Sequence, residues 1–137
     1  MNRAMGLDLG TKTIGVSLSD PMYLIAQSFE TIQRKSFEED LKRLKEIIEE
    51  KEVQEIVIGL PKNMDNSLGP SAQRSRSFAD LLKKELDQEI YLQDERLTTK
   101  QAMDLLKKDG VRREKRKKHV DAIAATFILQ SWLDKRR

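Results

Sequence analysis

The sequence predicts a mixed α/β fold: a five-stranded sheet covered by helices on both faces. Three observations predict it. The chain up to Ile32 holds three short extended runs joined by short links, the pattern of an antiparallel meander. Residues 54–60, Gln-Glu-Ile-Val-Ile-Gly-Leu, form a near-continuous apolar run of the kind found in buried parallel strands. Beyond them helical and extended patterns alternate, and such crossovers add parallel strands to the meander.

The first two runs form a hairpin around Gly10-Thr11-Lys12. Side chains alternate across a strand, so Met5, Leu7 and Leu9 share one face and Ala4, Gly6, Asp8 and Gly10 the other. In the second strand Ile14, Val16 and Leu18 are apolar, while Gly15, Ser17 and Ser19 line the opposite face. That face carries one carboxylate, Asp8, with Gly15 expected opposite it. Glycines in a strand mark a close approach of ligand or backbone. An acid among glycines and serines suits a metal ion beside a phosphate, or is simply a solvated hairpin acid.

After the Asp20-Pro21 turn, Ile25–Ile32 is the third strand. Ser36-Phe37-Glu38-Glu39 has the form of a capping box, and Leu41, Leu44, Ile47 and Ile48 make one helical face up to about Lys51. The fourth strand ends in Gly59-Leu60-Pro61, and a polar loop runs to Pro70. A second helix fits Ser71–Leu86 with Phe78, Leu81, Leu82 and Leu86 inward. Glu89–Gln93 is the fifth strand, Thr99–Lys108 a further helix, and His119–Leu133 the last one, with Phe127 and Trp132 read as core. No linker or repeat divides residues 1–137, so one domain is expected.

Composition removes several classes of function. The chain has no cysteine and one histidine, which excludes thiolate zinc, disulfides and multi-histidine centres. A metal would be held by carboxylates, favouring Mg²⁺ or Mn²⁺, one or two ions. No run approaches the roughly 20 apolar residues of a membrane span, and no signal peptide opens the chain, so a cytoplasmic protein is expected. The net charge of +3 conceals a strong asymmetry. Residues 107–118 hold eight bases and two acids, leaving the remainder net acidic. Such a block is the footprint of a polyanion partner or a solvated loop, expected to be mobile before substrate binds.

Three acids stand where this sheet would gather them. Asp8 is on the first strand, and Glu95 lies just past the end of the fifth, where open sheets place ligands. Asp121 is read in the first turn of the last helix, where the helix dipole favours a carboxylate. Ala124, Ala125 and Ile128 share its face, and their small size would let the helix lie close to the sheet. Three converging carboxylates need a cation, and two divalent ions about 4 Å apart would suit phosphodiester hydrolysis. Taken singly, Asp121 is also an ordinary helix acid and Glu95 a partner for Arg96.

Four motifs, Asp8-Leu9-Gly10-Thr11-Lys12, Gly59-Leu60-Pro61, Asp94-Glu95-Arg96-Leu97-Thr98-Thr99 and His119-Val120-Asp121-Ala122-Ile123-Ala124-Ala125, closely resemble the YqgF (RuvX) family. The resemblance runs in order over essentially the whole chain. It implies an RNase H-like fold with strand order 3-2-1-4-5, related to the RuvC Holliday-junction resolvases. It also implies a nuclease that trims the 5′ end of pre-16S ribosomal RNA, with junction resolution as an older reading of the family. Carried over residue by residue, the metal ligands and catalytic acids are Asp8, Glu95 and Asp121. RuvC proteins carry an acid near the end of the fourth strand; here Gly59-Leu60-Pro61 has none, and Glu95 on the next strand substitutes.

Phosphate contacts are expected from Lys12, Lys62, Asn63, Arg96, Arg74 and Arg76. Arg112, Arg113, Lys115, Arg116, Lys117 and Lys118 would add sequence-independent contacts. RNA is the expected partner, structured DNA the alternative, with no membrane and no obvious dimer surface, so a monomer is favoured. A non-catalytic RNA-binding assembly factor is a further alternative. Asp8–Gly15 also resembles the first phosphate loop of actin-like ATPases, but those enclose nucleotide between two lobes and this length allows one.

Overall fold

Alternation along the first strand sets the architecture. The computed structural model describes residues 2–61, 69–95 and 113–136, with side chains described at 2–61, 69–94 and 122–136. Strands β1 (Arg3–Leu9), β2 (Thr13–Ser19) and β3 (Ala26–Gln33) form the antiparallel meander. β4 (Val53–Pro61) and β5 (Glu89–Glu95) then add in parallel on the other side of β1. The order is β3-β2-β1-β4-β5, with β1 central, as the sequence led one to expect.

One face of the sheet is greasy. Met5, Leu7, Ile14, Val16, Leu18, Ile56 and Ile58 are buried there against helices α1 (Phe37–Lys51) and α2 (Pro70–Glu85). Burying such a side chain contributes about 1.5–3 kcal/mol, and this layer is the main core. Ser36 caps α1, its Oγ accepting from the Glu39 N–H at 3.2 Å. Buried Asp40 accepts from the Lys35 N–H at 3.2 Å and from Arg34 Nε at 3.5 Å. Arg34 in turn donates from Nη1 to the Gly10 carbonyl at 2.7 Å, while its backbone N–H donates to Lys12 O at 2.9 Å. The β1–β2 turn is thereby tied to the start of α1.

The other face carries small residues, and α3 (Arg113–Lys135) lies across it. Ala4, Ala26 and Val57 pack there against Ile128, Leu129 and Leu133. Beyond the helix end, Arg136 pairs with Glu55 at 3.0 Å and stacks 4.6 Å over Trp132 and 5.1 Å over Tyr23. Among the described residues no helix is long and apolar enough to cross a membrane.

Three expectations need correction. Leu81 does not point inward: it is 42% exposed, and α2 buries Ala72, Ser75, Phe78, Ala79 and Leu82 instead. The inward stripe uses small residues where α2 approaches the sheet, and Leu81 falls beside it. Secondly, the last helix is already formed at Arg113, ahead of His119, so Arg113, Lys115, Arg116, Lys117 and Lys118 sit on helix rather than loop. Lysine, arginine and glutamate are good helix formers and need no apolar period to propagate a helix. Asp121 is therefore more than two turns inside α3, beyond reach of the dipole effect, which fades within the first turn. Thirdly, Glu95 is the last residue of β5 rather than lying past it. The helix expected at 99–108 lies outside the described residues, as do Lys62, Asn63, Arg96 and Arg112.

Candidate nuclease site

The site is built outward from Asp8. It is the penultimate residue of β1, half-buried, on the face that α3 covers. Its antiparallel partner on β2 is Gly15. On the other side β1 and β4 pair Leu7 with Ile58, and one further step in that register brings Asp8 level with Gly59. Both neighbouring strands thus lack a side chain in the row of the carboxylate.

The approach of α3 to this face is unusually close. A Cβ built on Gly6 would lie 2.8 Å from the Ala125 carbonyl oxygen and 2.7 Å from Leu129 Cβ. Next to Gly6 in the sheet, Ser17 Oγ donates to that same Ala125 carbonyl at 2.8 Å. Further hydrogen bonds fix the direction of the helix. Thr126 Oγ1 is 3.0 Å from Ser28 Oγ, and Gln130 Oε1 accepts from the Ala26 N–H at 2.9 Å. Rising numbers in α3 meet falling numbers in β3, so the helix runs against β3 and hence against β1.

Asp121 follows from this geometry. Ala125 stands over the Gly6–Ser17 row; the next row on that face is Asp8–Gly15, about 6.6–6.8 Å along β1. Asp121 is four residues before Ala125, about 6 Å back along the helix, in the same direction. The α3 backbone at Asp121 thus stands near the level of the Asp8 row. Lys117 and Lys118 are one further turn towards the N-terminus.

Glu95 enters from the sheet edge. β4 and β5 pair Gly59 with Gln93 and Pro61 with Glu95. Glu95 is therefore two strands from Asp8, roughly 10 Å, and one row further along. Gln93 lies in the Asp8–Gly59 row, only 6% exposed, its Nε2 3.5 Å from the Asp94 carbonyl. Sequence reasoning did not single out Gln93; the signal was its period-2 relation to Glu95. Among the described residues no three His, Asp or Glu side chains cluster, and the side chains of Glu95 and Asp121 lie outside them.

The expected phosphate contacts divide similarly. Lys12 is exposed at the β1–β2 turn, and Arg74 and Arg76 are exposed on the first two turns of α2. Pro at its first position and no acid in its first turn leave that helix end favourable to anions. The backbones of Arg113, Lys115, Arg116, Lys117 and Lys118 line up on the first two turns of α3.

Comparison with solved structures defines the class of the fold. Thermus thermophilus RuvC bound to a Holliday junction superposes with a TM-score of 0.55 at 16% identity, over 99% of this chain and 96% of that one. Fowlpox virus resolvase with junction DNA gives a TM-score of 0.58 at 10% identity, over 98% of each. The architecture is that of the RuvC-like RNase H fold. The family model described as "RuvX: Holliday junction resolvase" matches residues 2–135, and the chain belongs to the RuvX family. A Clostridium tetani relative called "Putative pre-16S rRNA nuclease" is 48% identical over 132 residues, 96% of each chain. A Halothermothrix orenii relative of the same name is also 48% identical over 132 residues, 96% of this chain and 94% of its own.

Proposed function

We propose that this protein is a metal-dependent nuclease that hydrolyses phosphodiester bonds in RNA, processing the 5′ end of pre-16S ribosomal RNA. The observation that carries the reading is the placement of Asp8: a carboxylate at the end of the central strand, flanked by glycine on both neighbouring strands, near the level of Asp121 on α3. Family membership and the names of the 48%-identical relatives support it.

The donor set suits a hard divalent ion. Asp8, Glu95 and Asp121 are carboxylates, and neither cysteine nor a second histidine competes for a softer metal. Mg²⁺ or Mn²⁺ bound by these three acids would supply an activated water and charge neutralisation at the leaving oxygen. The chain's own residues do the rest. Gly15 and Gly59 add no side chain of their own beside Asp8, where a sugar-phosphate would approach. Lys12, Arg74 and Arg76, with Lys62 and Arg96, hold flanking phosphates. Arg112, Arg113, Lys115, Arg116, Lys117 and Lys118 draw in the polyanion without reading its sequence.

A second reading, cleavage of four-way DNA junctions, is favoured by the description of the matching family model. One experiment separates the two. A 5′-extended 16S precursor fragment and a four-way DNA junction are incubated in parallel with Mg²⁺ or Mn²⁺. Cutting of the RNA at its 5′ extension, lost on chelation, is the expected result. Cutting confined to the junction would establish the resolvase reading, and binding of RNA without cutting would leave an assembly factor.

A further inference from the structure

On the opposite side of the sheet from Asp8, a cleft of about 500 Å³ opens between the end of β1 and helices α1 and α2. Its walls are Leu9, Phe37, Phe78 and Leu81, and its rim carries Gln73 and Arg74. We propose that this cleft binds one unpaired nucleotide of the substrate RNA, next to the nucleotide being cut. The inference rests on Asp8 marking the cleavage site.

Four observations carry it. The volume lies within the range of small-ligand sites, about 300–1,000 Å³. Half-buried Phe37 lines the cleft, steadied by buried Phe78, which meets it edge to face at 5.9 Å, and is the aromatic ring available to a base. Arg34 also lines the cleft, 5.7 Å over the Phe78 ring, and is held there by Asp40 and the Gly10 carbonyl. Leu81, 42% exposed on a helix whose neighbouring apolar residues are buried, is the remaining apolar wall that solvent reaches.

Charge selects the ligand. Among the described residues no acid lines the cleft, and exposed Arg74 stands at its rim beside an α2 first turn that also lacks acids. An anionic group with a flat apolar body is a nucleotide. The Gln73 amide at the rim can both donate to and accept from a base edge. Leu9 adjoins Asp8, about 3.8 Å away between Cα atoms, so a strand crossing this end of the sheet meets both places. Only an unpaired base can turn its face into such a cleft; in a duplex that face is stacked.

Binding without metal separates this inference from the nuclease reading. Fluorescence anisotropy in chelator compares an RNA hairpin bearing a short unpaired 5′ extension with the same stem left blunt, for wild type, Leu81→Glu and Gln73→Ala. Leu81→Glu is expected to weaken the extended RNA about tenfold and the blunt stem less than twofold. Gln73→Ala should show a smaller loss with the same bias, and keeps the test decisive should Leu81→Glu unfold. Equal losses on both RNAs, or none on either, would overturn the proposal. The bias persisting in a protein that cleaves nothing with metal would support the cleft while sinking the nuclease reading.

Discussion

Replacing Asp8 with asparagine is expected to lower the rate of metal-dependent RNA cleavage by at least about 10²–10³-fold, the range seen when one group stabilising transition-state charge is removed. Binding should not fall with it. Asparagine keeps the size of the side chain and removes a negative charge facing the phosphates, so affinity for the RNA stays equal or rises. Asp8 is half-buried and flanked by Gly15 and by the level of Gly59, so the change leaves the packing of β1 alone. Single-turnover cleavage alongside a binding isotherm makes the check. A variant that cleaves as wild type would remove Asp8 from the chemistry.

Gly6→Ala is expected to be strongly damaging for a single added methyl. The added Cβ would lie 2.5 Å from Ser17 Oγ, 2.7 Å from Leu129 Cβ and 2.8 Å from Ala125 O. The hydroxyl can rotate away, but a main-chain carbonyl and a Cβ cannot, so α3 has to lift from the sheet. Overpacking of this kind costs about 1–3 kcal/mol. It also stretches the Ser17–Ala125 hydrogen bond and carries Asp121 away from Asp8. Urea unfolding should show a lower midpoint at unchanged slope, with cleavage reduced beyond what the folded fraction explains. An unchanged midpoint would mean that α3 has freedom to move which the distances deny it.

The sheet was legible because its information is local. Alternation in residues 4–19 sorts the two faces, and the pairing of Asp8 with Gly15 follows from the hairpin turn. The small face of α3, Ala124, Ala125 and Ile128, was legible for the same reason: all three are buried against the sheet. The start of that helix was not. Arg113–Lys118 carries no apolar period, and its helical state rests on propensity and on continuity with a packed segment. Leu81 was misread because a leucine count along α2 ignores that Ala72, Ser75 and Ala79 allow the closer contact. Gln93 was passed over because only the register across β4 and β5 aligns it with the Asp8 row. Asp8, Glu95 and Asp121 were grouped from the sequence by their places on the first strand, at the end of the fifth and in the last helix, and were assigned as ligands through the resemblance to the RuvX family; their joint action is a proposal that the substitutions below test.

The central claim is that Asp8, Glu95 and Asp121 hold a divalent ion jointly. Calorimetric titration of Mn²⁺ into wild type and into Asp8→Asn, Glu95→Gln and Asp121→Asn tests it without any substrate. Each substitution is expected to weaken binding by at least about tenfold, roughly 1.4 kcal/mol. Wild-type affinity retained in all three variants would contradict the account.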